Sequence, residues 1–371
     1  MATLKGSLYD RREVKKSKKQ IKGVKKKGKG VFPLAFFGFL IIFIKGIMPI
    51  ETKKGIGKNL SAQAGSTSGG EEKLRGKFFL DRKLSPLLRE KEVLAPYTTF
   101  KIGGPADVFF RAKKIEDLVN AVLMASELKI PYFILGGGSN ILISDEGFKG
   151  LVIRNECRKV DVVENKIVCQ SGAWLDDLVS TAGDNSLTGL EFCAGIPGTV
   201  GGAVYGNAGA YGKSIGEFLK EAVILTADGK IEIVDQNYFG FDYRYSHLKR
   251  KKDILLSAEF ELKKGDNKKI KKEMQRILAE RKKKLPNKEG SAGCFFKNVK
   301  SENLSAGFLL DRIGAKQLNV GEAAVFSKHA NIIINRGNAK AKDVKKLARI
   351  LKDRVKDKFG IKLQQEVIYI S

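Results

Sequence analysis

Apolar residues recur at helical spacing about a third of the way along the chain and then give way to a short apolar run. Within residues 115–128, Leu118, Val122 and Ala125 fall on one face of a helix, since positions three and four apart share a face. The run at 131–135 predicts a short buried strand, and the pattern at 94–110 predicts a turn, a glycine pair and another strand. Together these segments predict a β-α-β unit.

The rest of the chain alternates between strand and helix patterns. A hairpin turn is predicted at residues 227–229, where Ala-Asp-Gly separates two apolar runs. Lysine-rich helices are predicted at 267–284 and 341–358, the second as part of a smaller α/β domain at the end of the chain. The other predicted elements are a helix at 174–182 and strands at 151–153, 166–169, 221–226, 231–234, 254–262 and 366–370.

One glycine-crowded stretch, residues 195–212, fits neither pattern. It is too apolar for a flexible linker and too rich in glycine for a regular element, so we expect a loop packed tightly against something. Glycine tolerates positive φ and lets the backbone approach a ligand closely. We interpret the stretch as a cofactor-binding loop, and a set of turns between strands is the alternative.

A second glycine-rich loop follows the predicted strand at 131–135. Its residues are Gly136, Gly137, Gly138, Ser139 and Asn140. A dinucleotide fingerprint would need a third glycine where Ile141 stands and a helix after it, whereas another apolar strand follows. Consecutive amides of small residues can still form an anion-binding nest, which predicts contact with a pyrophosphate.

The formal net charge of +28 is carried largely by lysine-rich segments at 15–29, 247–252, 263–288 and 340–358. Single-strand binding platforms interleave arginine with aromatic residues, and these segments do not. We therefore expect no nucleic-acid partner, but a solvated basic surface that attracts an anionic substrate.

The four cysteines lack the spacing of a metal site. Cys157, Cys169, Cys193 and Cys294 are scattered, and the chain has only two histidines, so no metal is predicted. The pattern is also unlike a disulfide framework and is typical of a reducing compartment.

Residues 1–75 are predicted to be a basic and apolar N-terminal extension and linker outside the folded body. A lysine-rich run precedes an apolar segment at 31–44, and a Ser/Gly-rich stretch follows at 61–70. The apolar segment is shorter than the roughly twenty residues of a spanning helix. Three explanations stay open: a membrane-associated anchor, a secretory signal, and a translation start further along the chain, for example near Met48.

Six motifs occur together in a fixed order and give the chain a family resemblance. They are Thr-Thr-Phe-Lys-Ile-Gly-Gly-Pro-Ala at 98–106, Gly-Gly-Gly-Ser-Asn at 136–140, Ile-Pro-Gly-Thr-Val-Gly-Gly at 196–202, Tyr243-Arg244-x-Ser246, Ser-Ala-Gly-Cys-Phe-Phe-Lys-Asn at 291–298, and Leu363-x-x-Glu366-Val. The combination resembles the UDP-N-acetylenolpyruvoylglucosamine reductase family of peptidoglycan precursor synthesis. The resemblance covers roughly residues 80–371.

Membership would imply an α+β architecture, a two-subdomain FAD-binding fold of the vanillyl-alcohol-oxidase type followed by a smaller α/β substrate-binding domain. We expect the FAD-binding part at 76–265 and the substrate-binding part at 266–371. The implied reaction is NADPH-dependent reduction of UDP-N-acetylglucosamine enolpyruvate to UDP-N-acetylmuramate, with hydride from reduced, non-covalently bound FAD. Because NADPH and UDP-sugars are cytosolic, a cytoplasmic catalytic part is expected. No inserted tyrosine-bearing loop is evident, so the loop-lacking subtype is predicted.

The resemblance assigns catalytic roles to Arg244, Cys294 and Glu366. An arginine fork can hold the substrate carboxylate while negative charge develops on it. Cys294 stands where the family commonly has serine as proton donor, and a thiol, with a reference pKa of about 8.5, is the stronger acid. Glu366 is expected to assist the enol stage from an apolar strand. The structural alternatives are a surface arginine beside Asp242, a buried small thiol, and a glutamate paired with a lysine.

The resemblance also predicts the residues that bind cofactor and substrate. Lys297 is expected at the diphosphate of the substrate, with Asn298, His329 and Asn331 in the same pocket. The FAD-binding residues would be Gly136, Gly137, Gly138, Ser139, Asn140, Ile196, Pro197, Gly198, Gly201 and Gly202. An oxygen-using FAD oxidase of the same fold is the alternative function. The only histidines, His247 and His329, lie outside the flavin motifs, which disfavours the covalent flavin that such oxidases often carry.

Overall fold

The computed structural model describes residues 88–371. The predictions for the N-terminal extension, including its apolar segment and the membrane association considered for it, lie outside the described residues. Within 88–371, no helix combines the length and the apolar character needed to cross a membrane.

The first subdomain is a four-stranded sheet with one helix packed on it. The strand order is β1-β2-β5-β3, in which β5 pairs in parallel with both β2 and β3, and β1 is an antiparallel edge. The predicted β-α-β unit is confirmed, since α1 connects β2 to β3 and buries Leu118, Val122 and Ala125. The elements are β1 (Leu88–Val93), β2 (Pro105–Ala112), α1 (Ile115–Glu127), β3 (Tyr132–Leu135), β4 (Ile141–Ile143) and β5 (Phe148–Asn155).

The second subdomain is built on an antiparallel five-stranded sheet with the order β12-β11-β13-β7-β6. The predicted hairpin is confirmed: β11 and β12 pair from Glu221 with Asp235 to Leu225 with Ile231. The elements are β6 (Val160–Val163), β7 (Lys166–Gln170), α2 (Leu175–Asp184), β8 (Leu187–Thr188), α3 (Val200–Gly206), β9 (Gly209–Ala210), β10 (Lys213–Ser214), β11 (Leu219–Leu225), β12 (Ile231–Asp235), β13 (Ile254–Glu261), β14 (Lys263–Lys264) and α4 (Asn267–Lys284).

The glycine-crowded stretch contains a regular element, so the prediction that it is too rich in glycine for one was wrong. Helix α3 spans Val200–Gly206, and the Thr199 hydroxyl accepts a hydrogen bond from the Gly202 amide at its start. Val200, Ala203 and Val204 are buried in the core of the second subdomain at helical spacing. Burial of this apolar stripe outweighs the low helix propensity of glycine.

Helix α4 packs against the second subdomain although it follows the predicted domain boundary. Its Ile277 belongs to the core of that subdomain, and Met274 packs against the same core. The Met274 sulfur lies close to Gly183 at the end of α2. The boundary after residue 265 stays a prediction, although α4 packs against the second subdomain.

The C-terminal part is a four-stranded antiparallel sheet, order β15-β18-β17-β16, with helices packed on it. Its core includes Phe100, Ile102 and Leu142 from the first subdomain, and β19 pairs in parallel with β4. The C-terminal end of the described chain is thereby joined to the first subdomain. The elements are β15 (Gly290–Cys294), α5 (Ala306–Arg312), β16 (Asn319–Val320), β17 (Ala323–Val325), β18 (Ile332–Asn335), α6 (Ala341–Phe359) and β19 (Ile368–Ile370).

Candidate active site

Two glycine loops from different subdomains lie against each other. A Cβ atom on Gly137 would stand 2.6 Å from the Cα of Gly198, and a Cβ on Gly136 would stand 2.5 Å from the Thr199 hydroxyl. Gly138 has φ +65° and its Cβ would stand 2.2 Å from the Tyr97 carbonyl. Contacts at this closeness, with backbone at Gly137 and Gly138 and with a side-chain hydroxyl at Gly136, explain why the chain has glycine at three consecutive positions.

The loop after β3 presents unused donors. Within residues 88–371, no protein acceptor receives the amide N–H groups of Gly137, Gly138, Ser139 and Asn140. The Ser139 hydroxyl donates to the Pro197 carbonyl at 2.8 Å, which ties the two loops together. Successive backbone amides without internal acceptors suit a phosphate, so the predicted anion nest fits the pyrophosphate of a dinucleotide.

A buried arginine lies behind this loop. The guanidinium of Arg154 donates from Nη1 to the Gly136 carbonyl and lies between the rings of Tyr97 and Trp174, 5.8 Å from each centroid. Its Nε has no hydrogen-bond partner among the described residues. Burial lowers the pKa of Arg154, because desolvation disfavours the charged form. This cation beside the loop further favours an anionic ligand.

The second loop, predicted to bind FAD through Ile196, Pro197, Gly198, Gly201 and Gly202, is fixed by backbone bonds. The Gly198 carbonyl accepts from the Leu175 amide at 3.0 Å, and the Gly201 amide donates to the Ser171 carbonyl at 2.7 Å. Pro197 and Gly202 are exposed. The loop therefore presents a rigid and partly open backbone surface next to the amide nest.

Arg244 occupies a tight turn between two residues that pair with each other. Asp242 and Tyr245 exchange backbone hydrogen bonds at 3.1 and 3.0 Å, and Arg244 takes a φ of +54° between them. Ser246 is fully buried and donates to the Tyr205 carbonyl at 2.8 Å. A left-handed conformation is unfavourable for a non-glycine residue, so the contacts around this turn must hold it in place.

The guanidinium of Arg244 meets Glu366. The Arg244 Nε atom lies 2.7 Å from Glu366 Oε1, although the N–H is not aligned as a hydrogen bond. Burial raises the pKa of Glu366, and the charges of Arg244, Lys249 and Lys297 oppose this rise. Glu366 precedes β19 rather than lying in a strand, and its amide donates to the Phe295 carbonyl at 2.8 Å. The predicted alternative of a lysine partner is not what the structure has.

Cys294 is the last residue of β15. The residue after it, Phe295, accepts the hydrogen bond from the Glu366 amide. A register shift between Ser291 and Cys294 leaves Gly293 with φ +73° and turns the end of the strand. Cys294 is exposed as a residue, whereas protein around the sulfur raises the pKa of the thiol from 9.0 to about 11, with the Glu366 carboxylate as the next cause. The thiol is therefore protonated at neutral pH, and the residue is exposed, unlike the buried residue of the alternative prediction.

A cationic cleft of about 490 Å³ is lined by Asp242, Tyr243 and Tyr245, which are chain neighbours of Arg244; Arg244, Glu366 and Cys294 are not among its lining residues. Lys297 and Asn298, whose contact with substrate stays a prediction, line it together with three cations that sequence reasoning did not single out: Arg250, Lys300 and Lys362. Arg250 belongs to the basic run at 247–252, for which the sequence predicts a solvated surface. The sequence signal for a place near the site is that this run begins directly after the Tyr243-Arg244-x-Ser246 motif.

His329 and Asn331, both predicted to contact substrate, have internal partners. The side chain of Asn331 accepts from the Phe296 amide at 2.9 Å and donates to the Phe296 carbonyl at 2.8 Å. His329 Nδ1 accepts from the Asn331 amide at 3.2 Å, and burial lowers the pKa of His329. Neither lines the cationic cleft. The structure gives both residues a role in supporting Phe296 next to Lys297, and direct contact with substrate stays a prediction.

Comparisons with known proteins agree with the geometry. Residues 285–370 match the family described as UDP-N-acetylenolpyruvoylglucosamine reductase, C-terminal domain, and residues 106–235 match the FAD binding domain. The chain is 39% identical over 294 residues to the UDP-N-acetylenolpyruvoylglucosamine reductase of Clostridium novyi, covering 78% of this chain and 95% of the relative. It is 39% identical over 291 residues to that of Caldanaerobacter subterraneus, covering 77% of this chain and 96% of the relative.

A solved structure gives the same result. The crystal structure of UDP-N-acetylenolpyruvylglucosamine reductase from Thermus caldophilus is 35% identical to this chain, with a TM-score of 0.66, and the match covers 76% of this chain and all of that one. The predicted FAD-binding fold and the predicted family are confirmed. The chain belongs to the UDP-N-acetylenolpyruvoylglucosamine reductase family, which consists of FAD-dependent oxidoreductases of peptidoglycan synthesis.

Proposed function

We propose that this protein catalyses the NADPH-dependent reduction of UDP-N-acetylglucosamine enolpyruvate to UDP-N-acetylmuramate. The observation that carries the proposal is the contact of the Arg244 guanidinium with the Glu366 carboxyl at 2.7 Å, whose charges also act on the Cys294 thiol. Chain neighbours of Arg244 line a cationic cleft. Because NADPH and UDP-sugars are cytosolic compounds, the catalytic part would act in the cytoplasm. The loop-lacking subtype is part of the proposal.

FAD would be held without a covalent bond by the two glycine loops. The amides of residues 137–140 would receive its pyrophosphate, and residues 196–202 would support its ring system. FAD, when bound, would supply the hydride for the β-carbon of the enolpyruvyl group, with NADPH as the source of reducing equivalents. The two histidines support a non-covalent cofactor, since both are engaged elsewhere. The His247 ring centre lies 6.0 Å from that of Tyr245, and His329 accepts the Asn331 amide in the C-terminal part.

Arg244 would hold the carboxylate of the enolpyruvyl group. Hydride addition at the β-carbon moves negative charge from the double bond onto that carboxylate as an enolate. A guanidinium fixed at this point stabilises the charge where it develops and keeps its proton throughout. The strained turn supports this role, because its geometry orients the side chain before substrate arrives.

Cys294 would donate the proton that completes the reduction. Its S–H bond breaks as a C–H bond forms at the α-carbon, and the thiolate left behind recovers a proton from solvent. A pKa of about 11 keeps the thiol protonated between turnovers. Arg244 opposes this rise in the pKa and would stabilise the thiolate once it forms.

Glu366 would assist the enol stage and keep Arg244 oriented. Burial raises its pKa and so favours the protonated carboxyl, while the contact with the guanidinium of Arg244 opposes this rise. Lys297 would meet the diphosphate of the substrate with Asn298 beside it. Arg250, Lys300 and Lys362 add positive charge to the same cleft, which suits a UDP-linked ligand.

An anaerobic absorbance experiment tests the proposal. The purified protein is loaded with FAD, reduced with NADPH, and then mixed with UDP-N-acetylglucosamine enolpyruvate. We expect NADPH to bleach the flavin and the enolpyruvate to restore its colour, with UDP-N-acetylmuramate as product. A reduced flavin that recovers only when oxygen is admitted would refute the proposal and favour the oxidase alternative.

A further inference from the structure

Lys249 differs from the rest of the basic run at 247–252, which was interpreted as solvated surface. It ends a short 3₁₀ helix, His247–Lys249, that follows directly after the Arg244 turn. Its side chain is half-buried, and its Nζ atom donates to the Arg244 carbonyl at 2.7 Å. The same ammonium lies 5.6 Å from the centre of the Tyr205 ring on α3. It therefore bridges the catalytic turn and the helix of the glycine-crowded stretch.

The contact with Lys249 stabilises an unfavourable backbone conformation. Arg244 has φ +54°, so its turn persists only where surrounding contacts hold it. The exchange of backbone hydrogen bonds between Asp242 and Tyr245 closes the turn. Ser246, the buried residue that follows the turn, donates its hydroxyl to the Tyr205 carbonyl. The ammonium of Lys249 adds a charge-assisted hydrogen bond at the Arg244 carbonyl itself, and such bonds are stronger than neutral ones.

Lys249 also belongs to the charges around Glu366. The groups that act on this carboxyl are Arg244 and Lys249 from the turn and Lys297 from the segment after β15. The Glu366 carboxylate is in turn one of the charges that raise the pKa of the Cys294 thiol. Burial lowers the pKa of Lys249, and repulsion from Lys297 adds to this, while Glu366 opposes it. A half-buried ammonium that is repelled by two other cations is costly unless hydrogen bonds or an opposite charge compensate it.

We propose that Lys249 is a positioning residue of the reductase reaction, an inference that rests on the proposed function. Its ammonium holds the Arg244 carbonyl, and with it the left-handed turn that places the guanidinium against Glu366. Because its ammonium is bonded to the Arg244 carbonyl, Lys249 acts through Arg244. Loss of its side chain frees the turn to relax and misplaces the group that receives the developing charge.

The test compares three variants with the wild type. Lys249→Met removes the charge and donor but keeps the length, Lys249→Arg keeps both, and Lys251→Met is the matched control. Lys251 is exposed on the same loop, with Nζ 3.6 Å from the centre of the Tyr238 ring. Reduced, FAD-loaded protein is mixed anaerobically with UDP-N-acetylglucosamine enolpyruvate at a series of concentrations. Flavin recovery gives a limiting rate constant and a half-saturating concentration.

We expect Lys249→Met to lower the limiting rate constant by about tenfold to hundredfold, with the half-saturating concentration changed by less than about threefold. Lys249→Arg should regain most of the rate, and Lys251→Met should match the wild type. Equal rates in Lys249→Met and Lys251→Met would overturn the inference. So would equally slow Lys249→Met and Lys249→Arg, which would indicate packing alone. If Lys249→Met does not bind FAD, Lys249→Gln against Lys249→Arg decides in the same way. A wild type that the enolpyruvate does not reoxidise would refute the proposed function itself.

Discussion

Replacement of Gly137 by alanine tests whether the two glycine loops must touch for FAD to bind. The added methyl group would lie 2.6 Å from the Gly198 Cα, where ordinary contacts begin at 3.4 Å. The loops would have to separate by about 0.8 Å, the difference between these distances. The bond from Ser139 to the Pro197 carbonyl, at 2.8 Å, and that from Leu175 to the Gly198 carbonyl, at 3.0 Å, both resist this separation.

Overpacking of this kind costs about 1–3 kcal/mol. The FAD-free loops can relieve this strain by separating, and FAD binding has to bring them together again. The full cost then corresponds to a dissociation constant for FAD that is about fivefold to 150-fold higher. Gly137 does not have a positive φ, so the expected effect is steric and not a result of backbone strain. Titration of the FAD-free protein with FAD, followed by quenching of flavin fluorescence, measures the dissociation constant directly.

Gly206→Ala is the matched control. Gly206 is the last residue of α3, and a Cβ there would meet no atom within 4 Å. Alanine is a better helix former than glycine, so FAD affinity should stay unchanged and stability should not fall. Gly137→Ala with FAD affinity within about twofold of the wild type would refute the reasoning. An equal loss in Gly206→Ala would show that substitution anywhere in the glycine-rich loops is harmful for another reason.

Three further predictions concern the proton donor and the joint between domains. Cys294→Ala should slow reoxidation of reduced flavin by the enolpyruvate about a hundredfold or more, with flavin reduction by NADPH unchanged, and a wild-type reoxidation rate would contradict its role. Because the pKa of Cys294 is raised to about 11, this thiol should cause no loss of the wild-type rate from about pH 7 to about pH 9; a falling limb near about pH 8.5 that disappears in Cys294→Ser would contradict this. At the start of α6, Asp145 accepts hydrogen bonds from the amides of Ala341 at 2.7 Å and Lys342 at 3.1 Å. Asp145→Ala should therefore lower the free energy of unfolding, measured in urea, by about 0.5–2 kcal/mol, and Asp145→Asn should lower it by less. An unchanged urea midpoint would show that the start of α6 does not need this cap.

The sequence predicted local elements well wherever neighbours along the chain carry the information. The helix expected at 267–284 has these bounds in the structure, because Asp266 caps its start and Ile270 and Ile277 give it one buried face. The hairpin at β11 and β12 follows from its Ala-Asp-Gly turn. In the glycine-crowded stretch the same reasoning failed, because core contacts of Val200, Ala203 and Val204 formed a helix that local propensity disfavours.

The family motifs named Arg244, Cys294 and Glu366, but only the tertiary structure brings them together. Glu366 reaches the site because β19 pairs with β4 of the first subdomain and because its amide bonds to Phe295, next to Cys294. Lys249 was missed because a lysine in a basic run carries no sign of whether its ammonium is solvated or donated to a backbone carbonyl. Turns, caps and amphipathic faces are fixed by residues a few positions apart. Burial, charge proximity and the strained turn at Arg244 depend on which distant segments exclude water together, and a linear pattern does not contain that information.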